Sequence, residues 1–166
     1  MGYVNMREML ASAKAGRYAI GAFNTVDAMT TEAVIRAAEE KRAPVIIQTS
    51  AKTVKLYGAE PLAAMVIALA KQATVPVAMH LDHCKEIELI CECIDAGWSS
   101  VMIDASSRSF EENVALTKAV VALAQPQDVT VEGELGAIVG VEDDIFVNEA
   151  DAHLADPEQS VEFVGR

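Results

Sequence analysis

The sequence predicts an α/β protein built on a parallel β-sheet. Short apolar runs alternate with longer amphipathic stretches, and neighbouring runs lie roughly 25–30 residues apart, as repeated strand–helix–strand units require. Runs that are apolar throughout and rich in β-branched residues are typical of parallel strands, which are covered on both faces. The five predicted strands are Tyr18–Phe23, Pro44–Gln48, Pro76–His80, Ser100–Asp104 and Val129–Glu134.

Helical periodicity appears between these strands. After Pro61, which suits a first helical turn, apolar residues recur three and four positions apart, and a similar stripe from Ile87 ends before Gly97. Ser109 and Glu112 form a capping-box pattern, in which each side chain satisfies a free backbone amide at a helix start. Two further helices are predicted near Asn5–Lys14 and Ala28–Lys41.

The order of elements predicts one domain over residues 1–166. Five βα units either begin a (β/α)₈ barrel or form an open doubly wound sheet. The sequence contains no G-x-G-x-x-G pattern after the first strand and no GxxxxGK[ST] pattern. Nucleotide binding of the Rossmann or P-loop kind is therefore not expected.

Composition restricts the partners and the location. The 166 residues are 52% apolar with a net charge of −12, which argues against nucleic acids and acidic membranes because phosphate binding needs a basic surface. No segment has the roughly 20 uninterrupted apolar residues of a membrane helix, and no secretory signal is evident. Cys84, Cys91 and Cys93 form no CxxC pair, which suits reduced thiols. We therefore expect a cytoplasmic protein.

Three neighbouring strands end in residues that bind metals or transfer protons. The third ends in His80-Leu-Asp-His83, the fourth in Asp104, and the fifth in Glu132 and Glu134. Because residues i and i+2 share a face, His80 goes with Asp82, and Glu132 goes with Glu134. Carboxylates gathered in one enclosed space repel each other unless a cation neutralises them. Mixed imidazole and carboxylate ligands suit Zn²⁺ or a related divalent ion.

These residues also have structural interpretations. An isolated histidine such as His80 is more often a hydrogen-bonded interior residue than a ligand. Asp82 and Asp104 could cap turns, and Glu132 could pair with a basic side chain. His153, which precedes a predicted helix start at Asp156-Pro157, is interpreted as a surface residue. The agreement among three strand ends favours a metal site over separate structural roles.

These segments resemble the class II fructose-bisphosphate and tagatose-bisphosphate aldolases, which carry HxDH, VMID and VEAELG segments and a G-x-ED loop. The corresponding segments here are His80–His83, Val101–Asp104, Val131–Gly136 and Gly140–Asp143, with Gly21–Asn24 and Val45–Ser50 matching earlier strands. The resemblance runs in order through essentially the whole chain. Two departures are Gly133, where alanine is usual, and Cys84-Lys85, where many relatives have a glycine.

The resemblance implies a (β/α)₈ TIM barrel, of which this chain supplies the first five units. It implies zinc-dependent cleavage of fructose or tagatose 1,6-bisphosphate to dihydroxyacetone phosphate and glyceraldehyde 3-phosphate, through an ene-diolate that zinc stabilises. Each full-length subunit would hold one catalytic zinc ion, with an adjacent second metal position. The full-length protein would be a homodimer or homotetramer. These motifs do not distinguish fructose, tagatose and other phosphorylated ketoses.

The resemblance also implies roles for individual residues. His83 matches the first ligand of the catalytic zinc, and Asp104 and Glu134 match residues that hold a metal at an adjacent or resting position. Asp82 matches the acid that exchanges a proton with the aldehyde oxygen. Glu142, on a mobile loop, matches the base that deprotonates dihydroxyacetone phosphate. The matched substrate-binding positions are Asn24 and Ser50.

The chain is shorter than a complete barrel of this kind, which takes about 250 residues. We therefore expect the remaining zinc ligands and the phosphate-binding loops to be missing, and the 166-residue chain alone to be inactive. One alternative is a non-catalytic barrel fragment. Another is a metal-dependent hydrolase with Asp82, His83 and Glu134 around an activated water. A Schiff-base aldolase is not expected, because no lysine lies in a predicted strand.

Overall fold

Five parallel strands form one sheet in a computed structural model that describes residues 2–137, 140–142, 145–148 and 154–166. The strands follow one another in space in the same order as in the chain. An open doubly wound sheet reverses its strand order at a switch point, so the sequential order favours the barrel alternative. The strands are β1 (Gly21–Asn24), β2 (Val45–Ser50), β3 (Val77–Cys84), β4 (Ser100–Ile103) and β5 (Thr130–Gly133).

Helices connect the strands at the predicted places. Asn5, Asp27 and Ser109 cap the helices that follow them, because each side-chain oxygen accepts a hydrogen bond from a backbone amide in the first turn. The helices are α1 (Met6–Gly16), α2 (Ala28–Lys41), α3 (Ala51–Tyr57), α4 (Ala59–Gln72), α5 (Ile87–Ala96), α6 (Phe110–Ala124) and α7 (Pro157–Gly165). Short α3 was not predicted; it begins at once after β2 and is separated from α4 by Gly58, at φ 87°.

The two faces of the sheet bury different residues. One face packs against the helices and contributes Ile47, Met79, Val101 and Ile103 to the main hydrophobic core. On the other face, Ile46 and Ala78 pack against Met6 and Met9 of α1, which form a second, smaller cluster. The predicted alternation is therefore confirmed for β4, whose valine and isoleucine lie on the helix side.

Strand β3 contains a bulge near its carboxyl end. Leu81 pairs with Val101 and Cys84 pairs with Ile103, so three steps along β3 match two steps along β4. One extra residue in a strand changes the direction in which the following side chains point. The extra residue lies in the Asp82–His83 region, and His83 has a positive φ of 44°.

Two short strands lie in the segment that was expected to be a loop. Strands β6 (Gly140–Glu142) and β7 (Ile145–Val147) pair antiparallel and form a separate two-stranded sheet. The expectation of a loop around Glu142 was therefore wrong for the backbone of these residues. Val141, Ile145, Phe146 and Val147 are β-branched or aromatic residues, which are consistent with strand formation.

No single helix in the described part of the chain is long and apolar enough to cross a membrane. Helices α3 and α4 are long and apolar enough only when they are taken together, and they are bent by 103° relative to each other.

The capping box of α6 gives a prediction about stability. Ser109 and Glu112 each bond the other's backbone amide. We expect Ser109→Ala to lower the free energy of unfolding by about 1 kcal/mol, as measured by urea denaturation. Ser107→Ala is the matched control, because Ser107 is exposed and lies just outside the helix. Equal effects of the two substitutions would contradict the role of the cap.

Candidate active site

The bulge in β3 brings His83 to the carboxylates that end the next two strands. His83 Nδ1 lies 3.4 Å from Asp104 Oδ2 and 3.4 Å from Glu134 Oε2. Simple alternation would have directed His83 away from the face that carries Asp82. The structure therefore brings together the three residues that the sequence predicted as metal ligands.

The geometry of this trio fits a divalent ion. One donor atom from each of His83, Asp104 and Glu134 lies within 4.8 Å of the others. In a tetrahedral zinc site with ligand distances of about 2.1 Å, two ligand atoms lie about 3.4 Å apart. The observed separations of 3.4 Å are longer than a typical N–H···O hydrogen bond. One imidazole nitrogen and two carboxylate oxygens are donors that suit zinc and related ions.

Electrostatics around the trio favour a positive charge. Burial opposes protonation of His83, but the carboxylates of Asp82, Asp104 and Glu134 outweigh it and raise the pKa of His83. Burial opposes ionisation of Asp104, but hydrogen bonds from Ser106 and the nearby His83 outweigh it and lower the pKa of Asp104. A bound cation would replace the proton on His83 as the charge that these carboxylates attract.

Ser106 fixes the orientation of Asp104. Asp104 is buried, and its Oδ1 accepts hydrogen bonds from Ser106 Oγ at 2.7 Å and from the Ser106 backbone amide at 3.1 Å. Its other oxygen, Oδ2, faces His83. The predicted alternative role of Asp104 as a cap is therefore present. It uses Oδ1 and leaves Oδ2 beside His83.

Asp82 lies beside the trio and is held by the neighbouring strand. The amide Nε2 of Gln48 donates a hydrogen bond to Asp82 Oδ2 at 2.6 Å. Strand register places Gln48 next to His80 and Ser50 next to Asp82. A carboxyl group anchored at one oxygen keeps a defined orientation, which a proton-transfer group requires.

His80 is an interior histidine on the same face. It is 3% exposed, and its Nδ1 lies 2.8 Å from Ser100 Oγ. Burial, assisted by the charge of His83, lowers the pKa of His80 to about 4. His80 Nε2 lies 3.5 Å from Glu132 Oε2, and burial together with Asp82 raises the pKa of Glu132. The arrangement agrees with the structural interpretation of His80 as a hydrogen-bonded interior residue.

The other residues that were discussed from the sequence are Asn24, Ser50, Glu142 and His153, and no contact with the trio is described for them. Asn24 is exposed at the end of β1, in register with Gln48. Ser50 is the N-cap of α3, where its Oγ accepts from the Thr53 amide at 3.3 Å. The backbone of Glu142 lies in β6, whereas its side chain and all of His153 lie outside the described part of the chain. Their predicted roles stay predictions.

Several residues that hold the site were not found from the sequence. Gln48 and Ser106 are examples, because their roles depend on contacts between strands or across a turn. A D-x-S spacing after a strand is a recognisable Asx-turn signal and could have indicated Ser106. No lysine lies in a described strand, as predicted.

Comparison with known proteins identifies the family. The family model for class II fructose-bisphosphate aldolase matches residues 4–166. The chain belongs to the class II fructose-bisphosphate aldolase family. The resemblance inferred from the strand-end motifs is therefore confirmed.

Curated relatives of this aldolase-family chain have different names. A fructose-bisphosphate aldolase from Thermus caldophilus is 46% identical over 96% of the chain and 52% of its own length. A sulfofructosephosphate aldolase from Alkalicoccus urumqiensis is 40% identical over 100% of the chain and 58% of its own length. The chain thus spans between half and three-fifths of the length of these relatives.

A solved structure supports the fold assignment. The YdjI aldolase from Escherichia coli K12 superposes with a TM-score of 0.84 at 36% identity, covering 98% of this chain and 56% of that one. Together with the sequential strand order, this match confirms that the five βα units form part of a TIM barrel.

The buried His80 predicts a pH dependence of stability. The unfolded chain takes up a proton near the ordinary histidine pKa of 6.5, whereas folded His80 stays neutral down to about 4. Stability therefore falls as the pH drops through this window, and His80 accounts for about 2 kcal/mol of the loss between pH 7 and pH 5. His83 acts in the opposite direction, because its pKa is raised.

We expect urea denaturation of metal-free protein to show this difference. His80→Asn, which retains a nitrogen or oxygen near Ser100, should lose less stability than the wild type between pH 7 and pH 5. Equal losses in the two proteins would show that His80 does not carry the effect.

Proposed function

We propose that this chain supplies the proton-transfer acid and part of the metal site of an aldolase that cleaves a phosphorylated ketose. The observation that carries this proposal is the placement of Asp82 and His83, which are consecutive in sequence, against two further carboxylates. Membership of the aldolase family supports this chemistry over hydrolysis.

The residues fit a resident divalent ion, and zinc is the ion that we propose. His83, Asp104 and Glu134 would hold it, together with ligands from outside the described residues. When bound, such an ion acts as a Lewis acid that polarises a ketone and stabilises negative charge on oxygen.

Asp82 is the group that we assign to proton transfer. In the cleavage direction its carboxylate takes the proton from the substrate hydroxyl that becomes the aldehyde oxygen, as the adjacent carbon–carbon bond breaks. The bonding electrons stay with the ketose fragment. A second acid must then protonate this fragment at the carbon that was released, and Glu142 is our candidate for this second acid. The hydrogen bond from Gln48 keeps the Asp82 carboxyl oriented throughout.

The names of the relatives indicate the general class of substrate. Two relatives are named for fructose bisphosphate and for sulfofructosephosphate, so a phosphorylated ketose is the shared chemistry. Fructose and tagatose 1,6-bisphosphate differ at one hydroxyl group, and a site distinguishes such substrates by hydrogen bonds to that group. Cleavage rates on these two bisphosphates and on a sulfofructose phosphate would identify the preferred substrate.

The test uses the polypeptide that the complete reading frame encodes. We expect cleavage of fructose or tagatose 1,6-bisphosphate that a chelator abolishes and Zn²⁺ restores. Asp82→Asn should lower kcat by about 10²–10⁴-fold, because the amide cannot accept the hydroxyl proton. Glu92→Gln, an exposed position on α5, is the control and should leave kcat unchanged.

Three results would contradict the proposal. Full activity in the presence of chelator would exclude the metal, and an active Asp82→Asn variant would exclude the assigned acid. Hydrolysis of phosphate esters without aldol cleavage would favour the metal-dependent hydrolase instead.

A further inference from the structure

Asn113 is a buried polar residue that the proposed chemistry does not use. It lies in the first turn of α6 and is 1% exposed. Its Nδ2 donates a hydrogen bond to the backbone carbonyl of Glu134 at 2.7 Å, and its Oδ1 accepts one from Thr117 Oγ1 at 3.3 Å. Burial of an amide is unfavourable unless its polar atoms are bonded, so the Glu134 carbonyl is an essential partner of this side chain.

Glu134 lies immediately after the last paired residue of β5. The last residue of β5 that pairs with β4 is Gly133. Beyond it the chain enters a turn in which Gly136 has a φ of 87°. The hydrogen bond from Asn113 therefore anchors the peptide group of Glu134 to the helix layer, where strand pairing no longer does so.

The side chain of Glu134 lies at the candidate metal position. Glu134 Oε2 lies 3.4 Å from His83 Nδ1. We propose that Asn113 is a positioning residue, which fixes the backbone of Glu134 and thereby directs its carboxylate towards the metal beside His83. This inference rests on the proposed metal-dependent function.

The packing at Gly133 supports a close approach of α6 to this strand. A Cβ atom at Gly133 would lie 3.3 Å from Thr117 Oγ1 and 3.0 Å from two ring atoms of Phe163. The glycine thus leaves room for Thr117, the residue that bonds Asn113.

A double-mutant cycle with Co²⁺ as the probe tests this role. Metal-free protein from the complete reading frame is titrated with Co²⁺, and the dissociation constant is measured by visible absorption and by calorimetry. We expect Asn113→Leu to weaken Co²⁺ binding by about tenfold, as outer-shell substitutions commonly do. In a Glu134→Gln background, the same substitution should change the dissociation constant by less than about twofold, because the carboxylate that Asn113 positions is already absent.

Two further variants separate positioning from general loss of structure. Thr117→Val removes a hydrogen bond in the same cluster but keeps the contact to the Glu134 carbonyl, so Co²⁺ binding should be unchanged. Asn113→Ser, which is smaller and keeps a polar group, replaces Asn113→Leu if the leucine variant does not fold. A thermal unfolding curve is measured for each variant, to check that it is folded at the titration temperature.

The outcomes distinguish this inference from the proposed function. Unchanged Co²⁺ affinity in the Asn113 variants, alongside weaker binding in Glu134→Gln, would overturn the positioning role and leave the metal site intact. An equal loss in both backgrounds would also overturn it, since the effect would not pass through Glu134. A wild-type protein that binds no Co²⁺ would contradict the metal site itself and the inference with it.

Discussion

The bulge at the end of β3 determines the arrangement of the candidate site. In a regular strand, Asp82 and His83 would point to opposite faces of the sheet. The extra residue between Leu81 and Cys84, with His83 at a φ of 44°, lets both side chains reach the same space. A non-glycine residue with a left-handed backbone conformation is unfavourable by about 1–3 kcal/mol. This conformation of His83 persists because the surrounding structure holds it. The hydrogen bond from the Asp104 amide to the Cys84 carbonyl at 2.8 Å restores the pairing with β4 immediately afterwards.

The acidic groups around this bulge are held by neutral partners. Gln48 holds Asp82 from the adjacent strand, Ser106 holds Asp104 across a turn, and Asn113 holds the backbone of Glu134 from α6. None of these three partners adds charge, so the carboxylates keep their attraction for a cation. Gln48 and Ser106 restrict the rotation of the carboxylates that they bond, whereas Asn113 fixes the backbone of Glu134. The raised pKa of His83 and the lowered pKa of Asp104 agree with surroundings that favour a positive charge at this position. In the proposed function, proton transfer and metal binding would be served by separate groups that lie side by side.

Much of the fold was predictable because it depends on local patterns. The apolar runs and the capping pattern at Ser109 located the strands and α6, although strand bounds shifted by a few residues. The strand-end residues indicated the site because parallel strands all end at one edge. The sequence could not reveal the bulge, since a register shift depends on the partner strand. It also missed α3, β6 and β7, which are short. The contact of Asn113 with Glu134 was missed because it joins residues far apart in the chain.

X-ray absorption spectroscopy of the zinc-loaded polypeptide that the complete reading frame encodes tests the proposed metal site most directly. We expect a zinc shell of nitrogen and oxygen atoms only, at about 2.0–2.2 Å, with the scattering pattern of histidine. Cys84 is the competing ligand, because it follows His83 directly; its thiol is buried, and burial raises its pKa. A sulfur atom at about 2.3 Å from the zinc would contradict the proposed ligand set, since Cys84 would then take the place of one of its nitrogen or oxygen ligands.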